Sequence, residues 1–343
     1  MKRIDYVDFA KGIGIVLVVL GHCVSTNTSI GRWIFSFHMP LFFFLSGFCL
    51  DNSKYTNFKS LFLKRIQQLI IPYVSFVVIL VSLQALFFGD GTFITALYVQ
   101  FKRFISDGGI GATWFLPVLF FSELVYFLCL KLVACSKLFL FILLVSLSIV
   151  GNILHSLELD LPFSLSAVLP AVLFYGFGNI LNGTIQEAMR KFGNKRMLLL
   201  IPILGLLTVV LSIVINPAIN MCLNRMTPYF LGYLGAFTGI CLIFLMSNFL
   251  ARFSKKSFFL DQSKIVIKYL GLNTLSILAF HMFFIGLSSG FVKPMIGSYF
   301  MYKIVEQIVV WFLIYLSIQT INKYFPWLIG KKKLKFDNTL TLS

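Results

Sequence analysis

The chain alternates between long apolar runs and short breaks that carry most of its charge. A helix that crosses a bilayer needs about 20 mostly apolar residues. Ten runs answer that description: 9–27, 33–50, 69–88, 114–134, 138–154, 161–181, 197–216, 228–250, 271–292 and 303–322. The break between the fourth and fifth is short, which predicts a tight helical hairpin. The pattern predicts an all-α, polytopic integral membrane protein with about ten transmembrane helices. It forms one transmembrane domain over 1–323, followed by a basic tail over 324–343. The first run begins like a signal peptide, with Met1-Lys2-Arg3 ahead of Ile13 to Leu20. It lacks a small-residue cleavage site and continues through Gly21-His22-Cys23, so it is read as an uncleaved first span.

The breaks set the orientation. Cytoplasmic connections of membrane proteins are enriched in Lys and Arg. With the N-terminus inside, 23 of the 29 Lys and Arg residues fall on cytoplasmic segments, among them 182–196, 251–270 and everything from Lys323 onward. Both termini are therefore predicted to be cytoplasmic. The longest outer break, 89–113, interleaves charge with Phe93 to Phe104 and then reads Gly108-Gly109-Ile110-Gly111. An interfacial or re-entrant segment and an ordinary loop both fit it.

Composition supports this picture. Hydrophobic residues make up 59% and charged residues 12%, with a mean hydropathy of +0.92. That leaves too little polar surface to cover a water-soluble body. The 40 phenylalanines are read as lipid contact and interhelical packing. A net charge of +17 would point to nucleic acid in a soluble protein. Here it lies on the cytoplasmic face, where anionic membrane lipid and anionic cytosolic ligands are the expected partners and nucleic acid is not. The cysteines Cys23, Cys49, Cys129, Cys135, Cys222 and Cys241 contain no C-x-x-C pair. They are read as packing thiols, with no disulfide framework, metal site or tightly bound cofactor expected.

Ionisable residues inside a bilayer are costly, which makes each a functional candidate. They are Asp8, Lys11, His22, His38, Glu123, His281 and Glu306. Lys11 and His22 lie eleven residues apart, about three helical turns plus 20°, so they share one helix face about 16 Å apart. Asp8 can pair with Lys11 at i, i+3. His38 opens the second run just before Pro40, at a depth similar to His22. There it can act with His22 as an acid/base pair or hydrogen-bond backbone freed by Pro40. Arg65 sits at the cytoplasmic interface, where its planar fork suits phosphate and its charge suits an anchor. Glu123, beyond Trp114, should be paired or protonated at its depth. Glu306 is read as interfacial.

These residues fall in blocks that resemble the membrane acyltransferases of acyltransferase family 3. The blocks are Asp8-x-x-Lys11-Gly12 with ten residues to His22, Phe37-His38-Met39-Pro40-Leu41-Phe42-Phe43-Phe44-Leu45-Ser46-Gly47, Arg65 with Pro72-Tyr73, Trp114-Phe115-Leu116, and Gly271 to His281. Lys11 stands where many members have Arg, and a Lys meets phosphate as a point charge rather than a bidentate fork. The resemblance implies an enzyme of a bacterial plasma membrane, transferring an acyl group, usually acetyl. The donor is cytosolic acetyl-CoA, a co-substrate, and the acceptor a hydroxyl of an extracytoplasmic or lipid-linked glycan. On that basis His22 is the expected general base, or alternatively is transiently acylated. His38 is its catalytic companion, and Lys11, Arg65 and Asp8 bind the donor or position helices. Glu123, His281 and Trp114 form a second tier. The competing class is a multi-span transporter or flippase for a glycan or polar solute. Such a protein suits buried His and Glu, although no internal repeat is detectable.

The orientation is directly testable. In a chain stripped of its native cysteines, a cysteine at Thr28 should react with an impermeant thiol reagent applied outside. Cysteines at Asn57 or Asn194 should not, and the reverse pattern would invert the topology.

Overall fold

Each apolar run is helical over most of its length in the computed structural model, which describes residues 4–51, 57–89, 91–107, 111–133, 136–159, 161–214, 219–226, 228–253 and 258–330. In chain order the helices are α1 (Asp5–Cys23), α2 (Ser29–Phe35), α3 (His38–Phe48), α4 (Phe58–Arg65), α5 (Ile71–Phe88), α6 (Phe93–Asp107), α7 (Phe115–Leu132) and α8 (Lys137–Ser156). There follow α9 (Val168–Ile180), α10 (Asn182–Lys191), α11 (Asn194–Val214), α12 (Tyr229–Arg252), α13 (Phe258–Leu272), α14 (Thr274–Leu287) and α15 (Tyr299–Tyr324). Among the described residues, eight elements are long and apolar enough to cross a bilayer alone, and α9 with α10, bent by 54°, makes a ninth. A π-helical turn, Ile66–Ile70, joins α4 to α5 within one 31-residue element.

The second apolar run is broken between α2 and α3. With eleven residues, α3 is about 16 Å long by helix rise, half the thickness of a hydrocarbon core. It nevertheless returns the chain across the molecule. Its first residue, His38, lies beside His22 near the outer end of α1, and its last, Phe48, packs on Tyr6 near the inner end. Only Phe42 and Ser46 of this helix escape full burial. A helix sheathed in protein need not match the thickness of lipid. At its outer end, Trp33 of α2 donates from Nε1 to Thr208 Oγ1 of α11 at 2.9 Å.

Glycines set how closely the central helices approach. A Cβ on Gly12 of α1 would lie 2.1 Å from the Ile267 carbonyl oxygen of α13, and one on Gly271 of α13 would lie 2.0 Å from that of Asp8. In the same way α3 and α9 touch backbone to backbone, at Gly47 against Tyr175 and at Gly178 against Phe44. Small residues allow such contact between helices in lipid. Asn179 of α9 then donates to the Gly47 and Leu50 carbonyls at 3.3 Å and accepts from the Tyr126 hydroxyl at 2.9 Å, closing the inner end of α3.

Four of the charged breaks contain helix, with α4 in 51–68 and α10 in 182–196 among them. Residues 251–270, expected as a cytoplasmic connection, hold most of α13, whose Lys268 pairs with Asp5 at 2.6 Å. Of the two readings of 89–113, the structure has a helix, α6, packed against α5 and the turn at 162–167. Gly108, Gly109 and Ile110 lie outside the described residues. Phenylalanine serves both expected roles: Phe37, Phe43, Phe44, Phe48, Phe76 and Phe174 are fully buried, whereas Phe230, Phe300 and Phe312 face outward. After α15 the chain turns at Pro326–Ile329, where Leu328 is buried. Residues 331–343 of the basic tail lie outside the described residues.

Alanine at Gly12 or Gly47 should force these helices apart. Each should lower stability by about 1–3 kcal/mol or more, read as a lower thermal midpoint in detergent. Gly205→Ala in α11, where nothing lies within 4 Å of the new Cβ, should leave the midpoint unchanged or slightly raised.

Candidate active site: three histidines between two cavities

Helices α1, α3 and α14 each contribute one histidine to a single cluster. The ring of His22 lies 5.2 Å from that of His281 and 6.5 Å from that of His38, centroid to centroid, with Phe35 packed at 5.5 Å from His22 and 4.7 Å from His38. His38 and His281 are fully enclosed. Their Nδ1 atoms lie 2.9 Å from the carbonyl oxygens of Ile34 and Ile277, one turn earlier on the chain. A carbonyl only accepts, so each Nδ1 carries the hydrogen, and each neutral ring keeps its lone pair on Nε2. Nε2 of His281 is buried with no protein hydrogen-bond partner. Among the described residues no three His, Cys, Asp or Glu side chains converge as ligands of one ion.

The cluster faces an outer cavity of about 160 Å³, lined by His22, Phe35, His38, Met39, Trp114 and Met282, by Gly111 and Ala112, and by the Ile219–Cys222 segment. Gly111 turns over Met282 with φ +61°, a conformation that favours glycine. Asn224, at φ 52°, donates from Nδ2 to the Gly151 carbonyl at 2.7 Å and fixes the segment that closes the cavity. Trp114 packs its ring on Phe43 and Phe115.

An inner cavity of about 200 Å³ is lined by Lys11, Ile15, Ser46, Phe115, Leu278 and the first turn of α14 at Thr274 and Leu275, among others. Met39 belongs to both cavity walls. Lys11 and His22, placed on one face of α1 by their spacing, thus serve different cavities of the same stack. Asp8 is buried, and it and Lys11 both lie within electrostatic reach of the Cys49 thiol. Asn273 ahead of α14 accepts from Asn322 Nδ2 at 2.9 Å and donates to the Tyr269 carbonyl at 2.8 Å.

Two residues singled out separately in the sequence prove to be partners. Arg65 Nε forms an ion pair with the Glu123 carboxylate, and its Nη1 donates to Gln68 Oε1 at 2.7 Å. The Tyr175 hydroxyl lies beside the same carboxylate. Neither Arg65 nor Glu123 lines the walls of the two cavities. The pair joins the start of the π-turn to α7, and π-turns recur at functional positions in helices.

Glu306, read as interfacial, is enclosed by protein, at 1% exposure. It accepts from the Tyr302 hydroxyl and from Lys303 Nζ, the latter at 2.7 Å. Lys303 Nζ also donates to the carbonyl of Cys23, the last residue of α1, at 2.7 Å. A cation on the final carbonyls of a helix satisfies them and complements the dipole, and this one sits next to His22. The signal available in the sequence was the Lys-x-x-Glu pair at the head of an otherwise apolar run.

The profile of a protein family described as an acyltransferase domain matches residues 4–328. The chain is 33% identical over 143 residues to Nodulation protein NolL of Sinorhizobium fredii (strain NBRC 101917 / NGR234), a similarity covering 38% of this chain and 37% of that protein. The chain thus spans little more than a third of the length of that curated relative. No solved structure matches.

The buried ion pair yields a stability prediction. Arg65→Ala or Glu123→Ala alone strands a charge in a low-dielectric interior and should cost about 3–5 kcal/mol. The Arg65→Met, Glu123→Leu double variant should recover most of that loss, as read by thermal midpoint and monodispersity in detergent. Single variants as stable as the wild type would show that the pair does not hold the helices.

Proposed function

Because the chain belongs to the membrane acyltransferase family whose profile covers residues 4–328, we propose that it moves an acyl group, acetyl above all, from cytosolic acyl-CoA to a hydroxyl of an extracytoplasmic or lipid-linked glycan at a bacterial plasma membrane. The observation that carries this reading is the stack of two cavities, with Lys11 at the inner one and His22 and His38 at the outer one, His281 packed behind them.

Acyl-CoA is polyanionic at one end and bears its thioester at the end of a long, flexible, largely neutral arm. In this proposal its phosphates meet the basic cytoplasmic face, with Lys11 and the N-terminus of α14 nearest the inner cavity. The arm occupies the apolar inner cavity and presents the thioester toward His22. Neutral His22 takes the proton from the acceptor hydroxyl as the oxygen bonds to the thioester carbonyl carbon. The carbon–sulfur bond then breaks, and the departing CoA sulfur receives the proton from His22. With their Nδ1 hydrogens engaged by the Ile34 and Ile277 carbonyls, His38 and His281 offer Nε2 lone pairs to stabilise the proton-bearing form of His22 in this proposal. Transient acylation of His22 is the alternative route for the same residues. Arg65 and Glu123 position helices, and Trp114 shapes the acceptor side. The donor is a co-substrate, and no resident cofactor enters the scheme.

Purified protein given radiolabelled acetyl-CoA and a glycan acceptor should consume the donor. His22→Gln should lower transfer by roughly 10²–10⁴-fold, with thermal stability little changed. The wild-type rate should fall as pH is lowered, because a base must be neutral to accept a proton. Lys11→Gln should raise the KM for acyl-CoA more than Lys11→Arg does, because arginine retains the charge. An active His22→Gln beside a dead His38→Gln would move the base to His38. Glycan movement without donor consumption would replace the enzyme by a transporter.

A further inference from the structure

We propose that Met39 is the partition between the two cavities and sets the length of acyl group that the protein transfers, an inference that rests on the transferase reading above. Met39 lines both cavities and is itself buried. On α14, Leu278 borders the inner cavity and Met282, one turn further out, the outer one, which places the boundary between these levels. On α1, Ile15 lies on the inner side and His22, about two turns beyond, on the outer side. An acyl group arriving from the cytoplasmic side therefore has to pass Met39 before its carbonyl can meet His22.

The chemistry of the side chain suits this position. Methionine is unbranched and has three rotatable bonds, so it fills an irregular gap and can swing within it. Its neighbours leave little slack. His38 is tied to the Ile34 carbonyl, Pro40 has a fixed φ, and Leu41, Phe43 and Phe44 are fully buried. The backbone of α3 is held against α9, so an acyl group gains room through the Met39 side chain rather than through movement of the helix. Beyond the partition, the outer cavity of about 160 Å³ also has to receive the acceptor hydroxyl. Each methylene added to the acyl group competes with the acceptor for that space.

The test measures kcat/KM for acetyl-CoA and butyryl-CoA within each variant, in proteoliposomes with one acceptor. A ratio taken within one preparation does not depend on how much of it is folded. The wild type should favour acetyl by at least about 10-fold, since one methylene in a close-fitting site is worth roughly 10–200-fold. Met39→Ala should bring the ratio to within about threefold, Met39→Val should fall between, and Met39→Leu should stay near the wild type. A ratio unchanged across the three variants, in protein that still transfers acetyl, would overturn the partition and leave the transferase reading intact. A wild type that consumes neither donor would overturn both.

Discussion

The histidine cluster depends on helices that approach to backbone contact inside the bilayer. Lipid tails are as apolar as leucine, so burial alone gives helices no reason to associate there. Close packing and interhelical hydrogen bonds have to supply it. Gly12 and Gly271 bring α1 onto α13 at the inner end, and Gly47 and Gly178 bring α3 onto α9. With α1 and α3 held in this way, and α14 continuing from α13, rings carried by three helices come to lie 5.2 to 6.5 Å apart. A small outward shift of any one of them would break the cluster.

The same packing disposes of charge. Glu123 is met by Arg65, Glu306 by Lys303, and Asp5 by Lys268. Each pair ties two parts of the fold together or closes a helix end, as Lys303 does on the Cys23 carbonyl. The ionisable side chains that line the cavities are a different set: Lys11 inside, and His22 and His38 outside. In the proposed reading, structural and chemical uses of ionisable groups are thus separated in space.

The sequence made the fold legible where the signal is local. An apolar run of sufficient length predicts a spanning helix by itself, and the helical repeat alone put Lys11 and His22 on one face. The shared depth of His22 and His38 followed from the alternating direction of successive spans. What stayed hidden was tertiary. Nothing near His281 says that it meets His22, since the two lie 259 positions apart in the chain. The Arg65–Glu123 pair was hidden for the same reason, each member looking like a solitary group. The helices α6 and α13 escaped because they are amphipathic and lie in segments whose charge reads as connection. The break between α2 and α3 was masked by continuous hydrophobicity, and the burial of Glu306 by its place at the end of a run.

Two cavities stacked end to end also bear on the membrane as an insulator. In the proposed arrangement, with one cavity reached from each side, the electrical barrier would be thinnest around Met39, and much of the membrane potential would fall across that short layer. Moving one elementary charge through 100 mV is worth about 2.3 kcal/mol, enough to bias a reaction that carried charge across. The proposed exchange sends an acyl group outward while the hydroxyl proton passes inward to the CoA sulfur. Counted over the whole exchange, no net charge crosses, and the membrane potential neither drives nor opposes it.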